Sequence, residues 1–211
     1  MFSKFFKKKE APARRLEHPK DLRINDIITF KPRSVLPEEL QGTTLTVKKV
    51  ACYEYSDGLS PEFTLETADG KIYSFTYDTE DDGDFLCISR ALSHEEIVSA
   101  FDEEQLGELW SEEFPTLETR ELEAPLSQWL GEAYRQTLKE ATAYFYDEDR
   151  RDKAASEFVD PNAQELRYHE CEGTPDQFSL NVEIWEDGDT DIYAQVSVPL
   201  NVIEEMWPNG D

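Results

Sequence analysis

The chain has 211 residues and a mass of 24.4 kDa, and 38% of its residues are hydrophobic, so it is long enough to bury a core and is not disordered. Its formal net charge of −26, from 47 acidic and 21 basic residues, argues against direct nucleic-acid binding, which needs a basic surface. No apolar run approaches the roughly 20 residues that span a bilayer, and the three cysteines lack the spacing of a disulfide framework. We therefore expect a cytoplasmic protein.

Residues 1–20 predict a basic, flexible tail in front of an acidic body. They hold seven basic and two acidic residues, a net charge of +5, which leaves −31 for the remaining 191 residues. Rings and lysines together favour weak contact with an anionic membrane surface or with a protein partner. The candidate contact residues in the tail are Phe2, Phe5, Phe6, Lys7, Lys8 and Lys9. The alternatives are an ordinary disordered terminus and a tail folded back onto the protein's own acids.

Residues 21–92 have the composition of an N-terminal β-rich domain. Segments rich in Thr, Val, Ile, Tyr and Phe alternate with Asp-Gly turns at 56–58, 68–70 and 81–83. Five short strands in about seventy residues favour a small antiparallel sheet or an open barrel. The predicted strands are 27–30, 44–55, 63–67, 72–77 and 85–89.

Residues 93–150 predict a helical section. Ser93 and Glu96 have the spacing of a capping box, which begins a helix. Apolar residues from Leu126 to Phe145 then recur every three or four positions, behind Pro125, which suits a first turn. This spacing predicts one long amphipathic helix over 125–146 that packs on a sheet.

Residues 151–211 predict a C-terminal β-sheet region that packs with the helices. Strands are expected at 164–172, 178–185 and 191–198, with Leu180, Val182 and Ile184 on one face of the second. A short helix is expected over 200–207. The whole chain is therefore predicted to be α+β: a small N-terminal antiparallel sheet or open barrel, central helices with one long amphipathic helix, and a C-terminal antiparallel sheet.

Two local patterns resemble metal sites, and neither is complete. The turn at 78–84 has the acids that open a calcium loop, but its twelfth position is Ser89 where a bidentate acid is needed. His169 and Cys171 share one face of a predicted strand, yet nothing else in the chain completes a set of four zinc ligands. We therefore expect no metal and no cofactor.

Three hypotheses about function stay open, because no catalytic motif stands out. The first is a non-enzymatic binding or adaptor protein with a basic or membrane-associated protein partner, in which an exposed Trp207 marks a contact surface. The second is an acidic decoy that mimics DNA, with acids arrayed along one face. The third is an enzyme with carboxylate chemistry, which predicts a deep pocket with perturbed titratable groups.

Segments 2–19, 22–30, 45–55, 62–75 and 179–208 together resemble an uncharacterised bacterial family of small β-rich cytoplasmic proteins. Members of that family are often encoded near phage-shock-protein-A-like and polyamine-synthase-like genes. The resemblance implies an accessory role in envelope stress, in the cytoplasm or peripherally at the inner membrane. It implies no catalytic residue, and an analogy of this kind does not define a site.

The tail hypothesis predicts weak, salt-sensitive binding to anionic vesicles. Each basic residue near an anionic surface contributes about 1 kcal/mol, and inserted rings add apolar contact. At low salt, we expect the full chain to co-sediment with anionic vesicles and a chain starting at Asp21 to remain in solution. Equal sedimentation of the two proteins would remove the membrane hypothesis.

Overall fold

The structure, a computed structural model, describes residues 14–80, 83–153 and 160–209 and is mostly β. Strands make up 50% of these residues and helical turns 14%, so the predicted α+β class is wrong. The strands are β1 (Ile27–Phe30), β2 (Thr44–Tyr55), β3 (Gly58–Thr67), β4 (Ile72–Glu80), β5 (Gly83–Ala91), β6 (Thr116–Glu118), β7 (Ala133–Tyr146), β8 (Gln164–Thr174), β9 (Phe178–Trp185), β10 (Thr190–Pro199) and β11 (Ile203–Trp207). The helices are α1 (His94–Ala100) and α2 (Glu103–Gly107), with 3-10 turns at Pro19–Asp21, Glu38–Leu40, Glu108–Trp110, Leu126–Gln128 and Leu200–Val202.

Eight of the described strands close into one antiparallel barrel. Its circular order is β2-β3-β4-β5-β10-β9-β8-β7, and β7 pairs back onto β2. The barrel thus joins two four-stranded meanders, β2 to β5 and β7 to β10. Their first strands pair through residues 52–54 and 144–146, and their last strands pair as β5 with β10. The predicted separate N- and C-terminal sheets are therefore the two halves of one barrel.

The remaining strands extend the sheet beyond the barrel. β1 pairs with the first part of β2, and β11 pairs with β1. β6 pairs with the first part of β7. Each meander is thus preceded by a short strand and a 3-10 turn, so the two halves repeat the same order of elements.

The long helix predicted over 125–146 is wrong, because a 3-10 turn and the strand β7 occupy this segment. β7 changes register against β8 twice, between Gln136 and Leu138 and between Leu138 and Ala141. A β-bulge inserts an extra residue and reverses which face the next side chains occupy. The apolar side chains of β7 therefore recur at three- and four-residue spacing, which is the spacing of one face of a helix.

The short helix predicted over 200–207 is also wrong. Only the Leu200–Val202 turn is helical, and the following residues form β11, which supplies the second hydrogen-bonding neighbour of β1. Other local predictions are confirmed. The strands at 27–30, 44–55 and 178–185 have the predicted bounds, and Ser93 and Glu96 form the capping box at the start of α1.

The barrel strands turn most of their apolar side chains outward. On β3, Phe63 and Leu65 are fully buried outside the barrel, whereas Glu62 and Thr64 face its interior. Where the other strands have no bulge, their side chains also alternate between the outer and inner faces of the wall. The main apolar core therefore surrounds the barrel wall, whereas the interior holds polar and aromatic side chains together with a smaller apolar cluster around Tyr53, Ala143, Leu166 and Tyr168.

Elements outside the barrel cover this apolar wall. Segments before β2, between β5 and β7, and after β10 supply most of the covering side chains. Residues 14–26 add polar ties, since Arg14 pairs with the buried Asp26, which also accepts hydrogen bonds from the backbone of Arg23 and Asn209. The covering residues include Leu22, Ile28, Phe30, Leu36, Leu40, Phe101, Leu109, Leu117, Trp129, Leu130 and Val202.

Neighbouring residues of β4 test this arrangement. Phe75 is fully buried in the outer core and stacks on Phe63 with ring centroids 4.8 Å apart, whereas Thr76 lines the interior. We expect Phe75→Ala to lower the free energy of unfolding by about 3–5 kcal/mol and Thr76→Ala by less than about 1 kcal/mol. Urea denaturation measures both, and a larger loss at Thr76 would contradict an outward-facing core.

Candidate functional site

The interior of the barrel is a lumen with two adjoining chambers. The outer chamber has a volume of about 690 Å³ and the deep chamber about 200 Å³. Four side chains line both chambers: Tyr53, Glu62, Ser89 and Tyr193. An eight-stranded barrel is about the smallest that encloses one small ligand, so the size of this lumen matches that capacity.

One hydrogen bond across the lumen shows that these side chains point inward. The Tyr53 hydroxyl on β2 donates to Glu183 Oε2 on β9 over 3.3 Å. β2 and β9 are not neighbours in the barrel, because β7 and β8 lie between them. A direct side-chain contact between non-neighbouring strands has to pass through the interior.

Glu183 is buried in the wall of the deep chamber, with 3% of its surface exposed. Its second carboxyl oxygen, Oε1, accepts a hydrogen bond from Asn181 Nδ2 over 3.2 Å, so both of its described hydrogen-bond donors are neutral. Burial raises the pKa of Glu183 to about 8; the charge of Glu62 adds to this effect and the Tyr53 hydrogen bond opposes it. The carboxyl group is therefore mostly protonated at neutral pH.

Three further carboxyl groups face the deep chamber. Burial raises the pKa of Glu62 to about 7, against the opposing effects of Lys49 and of a hydrogen bond with Ser74. Partial burial also raises the pKa of Asp78 and of Glu170, although both keep much of their surface exposed, and repulsion from other acids adds to the effect. Several carboxyl groups with raised pKa values in one cavity are typical of a functional site.

The outer chamber adds aromatic rings at the open end of the lumen. Phe145 lies 5.1 Å from Tyr53 and 5.7 Å from Trp185, measured between ring centroids. Two basic side chains lie here, Lys49 and Arg90. Both are paired outside the deep chamber: Lys49 with Asp147, and Arg90 with Glu96 over 2.6 Å.

The contact residues predicted from the sequence lie away from this lumen. Phe2, Phe5, Phe6, Lys7, Lys8 and Lys9 lie outside the described residues, so their role stays a prediction. Trp207 lies on β11, where it pairs with Ile27, and 44% of its surface is exposed. It does not line either chamber.

The two patterns that resembled metal sites have other surroundings. His169 and Cys171 do share a face of β8, but both are buried in the outer layer, where His169 Nδ1 lies 2.7 Å from Gln136 Nε2. Burial lowers the pKa of His169, which favours the neutral ring. In the acidic turn, Asp78 faces the deep chamber and residues 81–82 are not described. No group of His, Cys, Asp or Glu side chains in the described ranges is arranged to hold a metal ion.

Sequence reasoning missed the lumen residues, although a signal for them is present. Acids and amides alternate with apolar residues along β3 and β9, as in Glu62-Phe63-Thr64 and Asn181-Val182-Glu183. Such alternation normally indicates a strand with one solvated face. Only the closure of the barrel converts that polar face into the wall of a cavity.

The chain matches no protein-family model, no curated protein and no solved structure. Within the described residues, no helix has the length and apolar character needed to cross a membrane. The class of the protein is therefore defined by its fold and its site. Over the described strands it is a closed eight-stranded antiparallel barrel whose lumen is large enough for a small ligand.

The raised pKa of Glu183 predicts how stability depends on pH. The pKa is about 8 in the folded protein and near 4.5 for an exposed glutamate, so the folded state holds this proton more tightly. The resulting stabilisation is complete below about pH 4.5 and is lost as the pH rises through about 8. Glu183→Gln stays neutral throughout and should gain roughly 2–5 kcal/mol of stability relative to the parent between about pH 5 and pH 9.

Denaturant unfolding across this pH range measures the effect, with Glu204→Gln as the control. Glu204 is an exposed glutamate on β11, outside the barrel, and its removal should leave the pH profile unchanged. Parallel profiles for the parent and Glu183→Gln would show that the buried carboxyl group has an ordinary pKa.

Proposed function

We propose that the protein is a non-enzymatic binding protein that holds one small organic molecule in the lumen of its barrel. The observation that carries this proposal is a cavity of about 690 Å³ that adjoins a second chamber lined by polar groups, among them the buried Glu183 and Ser89. Ligand sites typically combine such a volume with aromatic walls and a few well-placed polar side chains.

The cost of the lumen to stability supports the proposal. A buried carboxyl group without a basic partner destabilises the folded state, and replacing it with an apolar residue is often stabilising. Glu183 has only neutral hydrogen-bond donors among the described residues. Side chains that lower the stability of the folded state are typical of functional positions.

A second candidate function is enzymatic. General acid–base catalysis is most effective when the pKa of the catalytic group lies near the operating pH. Glu62 and Glu183, with pKa values of about 7 and about 8, are carboxyl groups in the lumen that meet this condition. This candidate differs from the first in one outcome, which is that the bound molecule is chemically changed in the parent and unchanged in Glu183→Gln.

A ligand in the lumen bears on neither the partner, the cellular role nor the localisation that the sequence predicts. A basic or membrane-associated protein partner, the absence of direct nucleic-acid binding, an accessory role in envelope stress and a place at the inner membrane all stay predictions. The DNA-mimic alternative also stays a prediction.

Blocking the lumen tests the proposal. Ser89 lines both chambers, so Ser89→Phe should fill the passage between them, whereas Ser99→Phe adds the same ring on the exposed face of α1. Each protein is purified from the native cell and denatured, and mass spectrometry then detects any small molecule that is released. We expect such a molecule from the parent and from Ser99→Phe, and none from Ser89→Phe. A second assay measures the thermal shift that a panel of small organic cations, neutral molecules and anions causes in the parent, and a shift caused by binding in the lumen should be lost in Ser89→Phe. The proposal fails if the parent releases no small molecule and the panel causes no such shift.

A further inference from the structure

The two chambers of the lumen differ in charge. The side chains that line the deep chamber include four carboxyl groups and no lysine, arginine or histidine among the described residues. None of the ion pairs between described residues includes one of these carboxyl groups. The four carboxyl groups belong to Glu183, which is buried, to Glu62, which is half-buried, and to Asp78 and Glu170, which are exposed.

Neutral polar groups surround these acids and add hydrogen-bond acceptors. Asn181 lines the same chamber, and its Oδ1 atom is buried without a hydrogen-bond partner in the described structure. The hydroxyl groups of Ser60, Thr76 and Ser89 lie on the same wall. An ammonium group carries three donors and a positive charge, so it matches a chamber rich in acceptors and acids.

The outer chamber offers a different chemistry. Phe145 and Trp185 present rings next to Tyr53 and Tyr193, at the open end of the lumen. Such rings pack against an apolar body and also attract a nearby cation. The carboxyl groups are spread around the deep wall and do not form a metal-binding group, so an inorganic divalent cation fits this lumen less well than an organic one.

We infer that the lumen binds an organic ammonium ion whose charged head lies in the deep chamber, among Glu62, Glu183 and Asn181, and whose apolar body lies against the rings of the outer chamber. This inference rests on the proposed function and specifies its ligand class. The acidic body, with a formal net charge of −26 for the whole chain, favours entry of a cation over entry of an anion.

Binding of such a cation should release protons. Burial keeps the pKa of Glu183 at about 8, and an ammonium group beside it would lower that pKa and favour the ionised carboxylate. Affinity should therefore rise between about pH 6 and pH 8. The titratable groups that face the same space from the other strands are Tyr53, Tyr55, Glu62, Asp78, Cys87, Glu170 and Tyr193. Lys49 lies near Glu62 in the adjoining outer chamber, and the charge of Asp191 adds to the raised pKa of Glu183.

Three probes with the same ring and different heads test the ligand class. They are 2-phenylethylamine, 2-phenylethanol and 3-phenylpropionate, titrated calorimetrically into the full-length protein at about pH 6, 7 and 8. We expect the amine to bind at least about tenfold more tightly than the alcohol, and the carboxylate to bind least. Titrations of the amine in two buffers of different ionisation enthalpy should show proton release.

Variants separate the lumen from the acidic surface. Glu183→Gln should weaken amine binding at least about tenfold and abolish most of the proton release, while Glu204→Gln should change neither. Far-UV circular dichroism and thermal unfolding of each variant show that it is folded. If Glu183→Gln fails to fold, Asn181→Leu serves as the second variant and should weaken amine binding without removing an acid.

The outcomes distinguish the ligand class from the proposed function. If the alcohol or the carboxylate binds as tightly as the amine, or if Glu183→Gln binds the amine as tightly as the parent does, the ammonium inference is wrong while the lumen remains a binding site. If none of the probes binds but a small molecule that is not an amine is released from the parent, the inference is again wrong and the proposed function holds. If no probe binds, nothing is released and the wider panel of small molecules produces no thermal shift that Ser89→Phe abolishes, both fail.

Discussion

The pairing of β2 with β7 is the interaction on which the lumen depends. Three residue pairs, between residues 52–54 and 144–146, close two four-stranded meanders into a barrel. Tyr146 adds a hydrogen bond from its hydroxyl to Glu54 Oε2 over 2.6 Å at this seam. Without the seam, the inner face of each meander would be an ordinary solvated face, and its acids would lie in water. The closure therefore creates the cavity and also raises the pKa of the acids within it.

This closure reverses the usual division between core and surface. In a sheet with one solvated face, polar side chains lie in water and apolar side chains form the core. Here the main apolar core lies outside the barrel, under the covering segments, and a smaller apolar cluster lies inside beside Tyr53, so the barrel wall is supported without filling the whole interior. The interior can then hold groups such as Glu183 that a packed core would exclude, and their cost to stability is offset by the outer layer.

Local sequence patterns predicted much of the β-structure and none of the cavity. Turn residues and strand composition located β1, β2 and β9 with correct bounds, because these signals depend only on neighbouring residues. β7 was predicted as a helix because its two bulges space apolar residues as a helix face does. The lumen residues could not be predicted, because which face of a strand is enclosed depends on pairing between strands nearly a hundred residues apart, as with residues 52 and 146.

The most direct test is the titration of the Glu183 carboxyl group by carbon-13 NMR, with its signal assigned as the titrating one that disappears in Glu183→Gln. A closed lumen in which no described basic residue pairs with this group predicts a midpoint near pH 8 for the protein alone. Saturating 2-phenylethylamine should lower that midpoint by one unit or more, roughly the effect of a nearby opposite charge. A midpoint near 4.5 in the protein alone would mean that the carboxyl group lies in water, and it would contradict the closed, polar lumen.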